Sequence, residues 1–129
     1  MNKIIVEVSI GELLDKISIL EIKKEKIKDI EKLKFISKEH SILKDQLDNN
    51  VKSDDKLTEL FQSLKEINLK LWSIEDEKRL CEKDKDFGEK FIKLSRDVHF
   101  LNDDRAKIKL KINEHTGSTI KEIKEYTNY

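Results

Sequence analysis

The stretch Leu57-Thr-Glu-Leu60-Phe-Gln-Ser-Leu64-Lys-Glu-Ile67-Asn-Leu-Lys-Leu71-Trp-Ser-Ile74 decides the fold. Its apolar residues step by 3, 4, 3, 4 and 3 positions. At a helical repeat near 3.6, that spacing lays one narrow seam along one face over several turns. Most residues between are polar, Thr, Glu, Gln, Ser, Lys and Asn, which suit water, with Phe61, Leu69 and Trp72 as the apolar exceptions. A long helix is therefore expected, packed along its seam against a partner. The partner lies just beyond in the chain. Glu82-Lys-Asp-Lys-Asp-Phe-Gly88 breaks the pattern with charge and a glycine, and Phe91, Leu94, Val98, Leu101, Ile108 and Ile112 resume it, with Arg105 at a position the repeat assigns to an apolar side chain. The two seams match in length, so segments 54–81 and 89–116 are expected to fold back as an antiparallel, coiled-coil-like hairpin, each arm about 35 to 40 Å long at roughly 1.5 Å per residue.

Upstream, Ser9-Ile-Gly-Glu12 has the spacing of a capping box, in which the Ser9 hydroxyl accepts from the Glu12 amide and the Glu12 carboxylate reaches back to the Ser9 amide. A first helix over 9–28 follows. Ile10, Leu13, Leu14, Ile17, Leu20 and Ile27 form one stripe, with Ile19, Ile22 and Ile30 off it. A helix apolar on two faces is expected between neighbours. Asp29 is placed to cap a second helix over 29–48, with Leu33, Ile36, His40, Leu43 and Leu47 on its stripe. Asp48-Asn-Asn50 and Ser53-Asp-Asp55 mark the loop before the third helix. Ile4-Ile-Val-Glu-Val8 is β-branched and partly alternating, so a short strand is expected over 3–8, paired with the tail 118–129, packed on a helix, or added to a second copy. Gly117 is a natural helix stop. The expected architecture is an all-α antiparallel helical bundle with a long coiled-coil-like hairpin and a short N-terminal extended segment, in one domain over residues 1–129.

Composition narrows the function classes. Of 129 residues, 42% are charged, and 27 basic side chains balance 27 acidic ones, so no overall field draws the chain to nucleic acid or an anionic membrane. The chain has no Pro and three Gly, so breakers of long helices are nearly absent. Cys81 is the single cysteine, which rules out an internal disulfide and predicts a reduced, cytoplasmic protein. The N-terminus carries no secretory h-region and no window reaches the length of a membrane span.

Catalytic signatures such as HExxH, GxSxG, a P-loop or GxGxxG are absent from the sequence. The informative residues are polar ones on or beside the seams. Arg105 needs an internal carboxylate or carbonyl partner if it lies where the repeat places it. A hairpin turning near Lys85 sets Arg105 beside Ile67 and Asn68, with Asn102 and Trp72 one turn away, so Asn68, Trp72, Asn102 and Arg105 form the candidate ligand- or partner-binding group. The preferred reading of the same set is an internal network that fixes helix register, with a small-molecule or peptide site as the functional alternative. An alternative draws on carboxylates: Glu12 and Asp15 with Glu75 and Asp76 could converge on Mg²⁺ in an all-α nucleotide or sugar-phosphate hydrolase. The first expectation is a non-enzymatic module without cofactor that self-associates, as a dimer, and offers a surface to another protein.

Gly11-Glu-Leu-Leu-Asp-Lys-Ile-Ser-Ile-Leu-Glu-Ile-Lys23, Leu71-Trp-Ser-Ile-Glu-Asp76, Asp86-Phe-Gly88, Leu101-Asn-Asp-Asp-Arg-Ala-Lys-Ile-Lys109 and Ile112-Asn113 together resemble an uncharacterised family, a domain of unknown function, of short helical proteins from bacteria and their phages. The residues that match its pattern are Glu12, Asp15, Lys16, Glu21, Trp72, Glu75, Asp76, Phe87, Gly88, Asn102 and Arg105. Ile30 stands where many members resembling this chain carry Pro. The resemblance implies an accessory role beside glycosyltransferases and surface-polysaccharide synthesis.

Overall fold

In the computed structural model, residues 2–125, 127 and 128 are described. They form four helices: α1 (Ile10–Lys26), α2 (Ile30–Asn50), α3 (Asp55–Lys83) and α4 (Glu89–Thr116). No strand occurs among the described residues, and the all-α bundle anticipated from the periodicity is the fold observed.

Local chemistry sets the ends of the helices. Asp29 accepts from the Glu31 and Lys32 amides at 2.9 and 3.2 Å, so the chain turns a corner through Ile27–Asp29 in place of a continuous helix. Asp54 Oδ1 accepts from the Leu57 amide at 2.8 Å and starts α3. Its other oxygen meets His115 Nε2 at 2.8 Å, tying the beginning of α3 to the end of α4. Gly117 ends α4 in the left-handed region at φ 67°, which costs little without a Cβ.

α3 and α4 lie against each other, and α1 packs on both of them and on α2. α1 is therefore the centre of the bundle, and Leu14, Ile17, Leu20 and Ile22 are all buried. This accounts for its apolar residues on more than one face. With 17 residues α1 is about 26 Å long, against about 44 Å for the 29-residue α3, so it covers little more than half of the hairpin. Where α1 lies, Leu14, Leu57, Leu60, Leu64 and Ile112 close into one core, with Leu47, Val51 and Phe61 packed on it. Beyond it the hairpin continues as a stalk of two helices holding a second, smaller core of Ile74, Cys81 and Leu94.

The expected strand over 3–8 does not form. Ile4, Ile5 and Val6 are 91, 85 and 69% exposed, and the tail residues 118–125 run without regular structure and offer no ladder edge to pair with. A β-branched run acquires strand geometry only from a neighbour's backbone, and none lies beside it among the described residues.

Candidate functional site

Three helices bring a polar network to the junction where α1 crosses the hairpin. Asp15 lies at its centre, 1% exposed. Its Oδ1 accepts from Asn68 Nδ2 at 2.9 Å and from Arg105 Nε at 3.0 Å, and its Oδ2 takes the Arg105 Nη2 hydrogen bond, so the guanidinium grips the carboxylate with two prongs. Asn68 Nδ2 also donates to Ser18 Oγ at 2.8 Å, and that hydroxyl donates to the Asp15 carbonyl at 2.8 Å. Asn102 lies one turn before Arg105 and receives Nη1 at 3.5 Å. Lys109, 6% exposed, lies one turn after it and holds Glu12 at 2.7 Å and Glu122 of the tail at 2.6 Å. The half-buried Arg105 and the buried Lys109 thus face three carboxylates, which offsets the desolvation of the two cations.

Protonation follows from these contacts. The hydrogen bonds that Arg105 donates to the Asp15 carboxylate raise its guanidinium above its ordinary value. Burial alone would pull the Lys109 ammonium down, but its bonds to Glu12 and Glu122 and the charge of Asp15 outweigh it and leave it raised. Lys109 in turn lowers the Glu122 carboxyl below its ordinary range.

At the start of α1 the same helices approach closely. A Cβ on Gly11 would lie 2.6 Å from the Lys109 carbonyl oxygen, so only glycine permits this crossing. The free amides of the first turn are all satisfied: Ile10 by Ser118 Oγ at 3.2 Å, Gly11 by Asn113 Oδ1 at 2.7 Å and Glu12 by Ser9 Oγ at 3.1 Å. The Ser9 half of the expected capping box is present. The Glu12 half is replaced, because its carboxylate turns to Lys109. Asn113 Nδ2 is the buried side-chain nitrogen left without an acceptor among the described residues, its amide oriented by the Gly11 bond.

Beside this network, against the second half of α1, lies a pocket of about 400 Å³. Ile19, Ile22 and Leu71 give it apolar walls, and Asn68, Trp72, Glu75, Asp76, Arg79 and Arg105 line it with polar and aromatic groups. Of the candidate binding group, Asn68, Trp72 and Arg105 line this one pocket, and Asn102 supports Arg105 from behind. The four carboxylates considered for Mg²⁺ do not gather. Asp15 is engaged by Arg105 and Asn68, Glu12 by Lys109, and Glu75 and Asp76 line the pocket about 10 Å further along α3 than Asn68 at 1.5 Å per residue. No group of three or more His, Cys, Asp or Glu is placed to hold a metal ion among the described residues.

Sequence reasoning placed Arg105 near Asn68 but left Asp15, the residue that joins them, among the metal candidates. The signal was present in the spacing. Gly11, Asp15, Ser18 and Ile22 recur by 4, 3 and 4 on α1, and Arg105, Lys109 and Asn113 recur by 4 on α4. Small and polar residues at seam spacing on two helices mark a close, hydrogen-bonded crossing as surely as leucines mark a greasy one.

The class defined here is an all-helical bundle organised around a buried ion-pair network, with a half-open pocket against it. The chain matches, over residues 4–129, the model of a family described as Family of unknown function (DUF6165), and it belongs to that family. No curated protein and no solved structure matched it. No helix among the described residues is long and apolar enough to cross a membrane.

Proposed function

We propose that the protein is a non-enzymatic helical module that self-associates through the open flank of its two-helix stalk. The observation that carries this reading is a groove of about 560 Å³ between α3 and α4, on the flank opposite the pocket, floored by Leu69, Ile74, Phe100 and Leu101. Phe100 is 40% and Leu80, on the same face of α3, 54% exposed. Two helices alone cover one seam each and leave such a flank to water, whereas a third or fourth helix would bury it.

The groove is flanked by Lys70 on α3 and Asp97 on α4. Lys70 has no acidic partner among the described residues, and Asp97 commits Oδ2 to Lys93 while Oδ1 accepts nothing there. A two-fold axis through the groove would bring the Lys70 of each copy towards the Asp97 of the other, the self-complementarity an isologous dimer requires. The accessory role implied by the resemblance is compatible with such a module, since an adaptor works through surfaces. The exposed Ile4–Val8 arm is a further apolar surface available to a protein partner.

Sedimentation equilibrium tests the proposal. The expected result is a dimer at micromolar concentration that Phe100→Glu shifts to monomer with helicity unchanged. Lys70→Asp and Asp97→Lys are each expected to weaken it and together to restore it. A monomer throughout the concentration range would refute the proposal.

A further inference from the structure

We propose that the pocket beside the network, lined by Asn68, Trp72, Glu75 and Asp76, binds a small organic cation bearing N–H donors, of the ammonium or guanidinium class.

The pocket offers acceptors and a π face. Asn68 is 6% exposed and spends both donor bonds inward, on Asp15 and Ser18. With Nδ2 so fixed, Oδ1 is the acceptor left over, and no donor reaches it among the described residues. This amide oxygen, in the lining of an open cavity and reached by solvent, is free to accept an N–H from outside the chain. Glu75 and Asp76 line the same space, exposed, and neither forms an ion pair among the described residues. Trp72 is half-buried, with no ring or cation contact of its own among them. Tryptophan is the side chain whose face attracts cations most strongly.

Charge balance fixes the sign of the ligand. Arg105 lines the pocket, but its charge is answered from behind by the two-pronged bond to Asp15. The carboxylates of Glu75 and Asp76 then face one uncompensated cation, the exposed Arg79, which leaves an excess of one negative charge. The volume, about 400 Å³, suits a ligand near the small end of the usual range for such sites. Ile19, Ile22 and Leu71 give its methylenes an apolar wall. The site lies on the face of α3 opposite the Leu69–Phe100 groove, so it stands or falls independently of self-association.

Trp72 is the only tryptophan, so intrinsic fluorescence of the full chain reads this pocket directly. Titration with agmatine at low salt is expected to change the emission saturably, and tetramethylammonium, which has no N–H, is expected to bind more weakly. The double variant Glu75→Gln, Asp76→Asn, at exposed positions, is expected to weaken agmatine binding about tenfold or more, and Arg79→Gln to tighten it a few fold by removing the competing cation. A blocked arginine peptide in place of agmatine distinguishes a displayed side chain from a free amine, and saturation by either one sustains the proposal. Absence of a saturable response to both, an equal response in the double variant, or saturation by succinate or phosphate instead overturns it.

Discussion

The two ends of the α3–α4 hairpin are built from the same repeat and reach different depths of burial. At the junction end α1 lies across both arms, and Leu64 and Ile112 are fully buried together with Asp15, Lys109 and Asn113. At the stalk end there is no third helix. Only Ile74, Cys81 and Leu94 are buried there. A helix pair excludes solvent from the line of contact. A third helix excludes it from a volume, and only there do charged side chains need partners within the chain. The junction therefore holds the fixed polar chemistry, and the stalk and its margins hold the open surfaces.

The largest expected effect breaks the junction at its centre. Asp15→Ala leaves Arg105 and Lys109 short of a buried counter-charge, at a cost of about 3–5 kcal/mol. Against a total stability of about 5–15 kcal/mol for a domain of this size, thermal unfolding monitored by circular dichroism should show a large fall in the midpoint. Asp15→Leu combined with Arg105→Met is expected to recover much of that loss, because neither charge is then stranded. A fall equal to that of Asp15→Ala would show that Lys109 alone carries the penalty.

The comparison itself is tested by two leucines. Leu64→Ala, at 0% exposure in the junction, is expected to cost about 4 kcal/mol, and Leu94→Ala, at 7% in the stalk, about 2 kcal/mol, since the open stalk can relax into the void. Urea denaturation of both variants measures the difference, and equal costs would mean that α1 does not deepen the core. Gly11→Ala should follow at about 1–3 kcal/mol, because its Cβ meets a backbone carbonyl at 2.6 Å and α1 must lift from α4. The same change at Gly88, where the nearest atom is the Asp86 carboxylate at 3.4 Å, is expected to leave stability nearly unchanged.

The smallest effect is one of pH. The Glu122 carboxyl is held below its ordinary value of 4.5 by Lys109, so its contribution is present above that value and fades as the pH falls through the lowered one. Glu122→Gln should therefore reduce stability slightly at neutral pH and flatten the acid limb below 4.5, as read by thermal midpoints across a pH series. Lys109 has the opposite sense. Raised above 10.5, it stabilises at all lower pH and its contribution is lost only as the pH climbs past the raised value, so the neutral range should be flat with respect to it.

Much of this was legible in the residues. The 3-and-4 spacing of Leu57 to Ile74 and of Phe91 to Ile112 announced an all-helical bundle, because a rod with one greasy stripe has few ways to hide it. The need of Arg105 for an internal partner was legible too, since a seam position commits its side chain to the interior. The partner's identity was not. Asp15 is 90 residues away, and Asn68 is 53 residues from Asp15, so no local spacing connects them. The strand expected over 3–8 failed for the complementary reason: β-branched residues state a preference, and only a neighbouring edge can satisfy it.

The sequence by itself determined that the chain makes helices with one or more buried stripes, because that property belongs to each segment and needs only the helical period. The tertiary structure alone decided that α1 crosses the hairpin at Gly11, that Asp15 meets Arg105, and that a pocket opens between α1 and Trp72. Those outcomes depend on how far rods of unequal length overlap and at what separation, quantities that exist only once the helices are assembled.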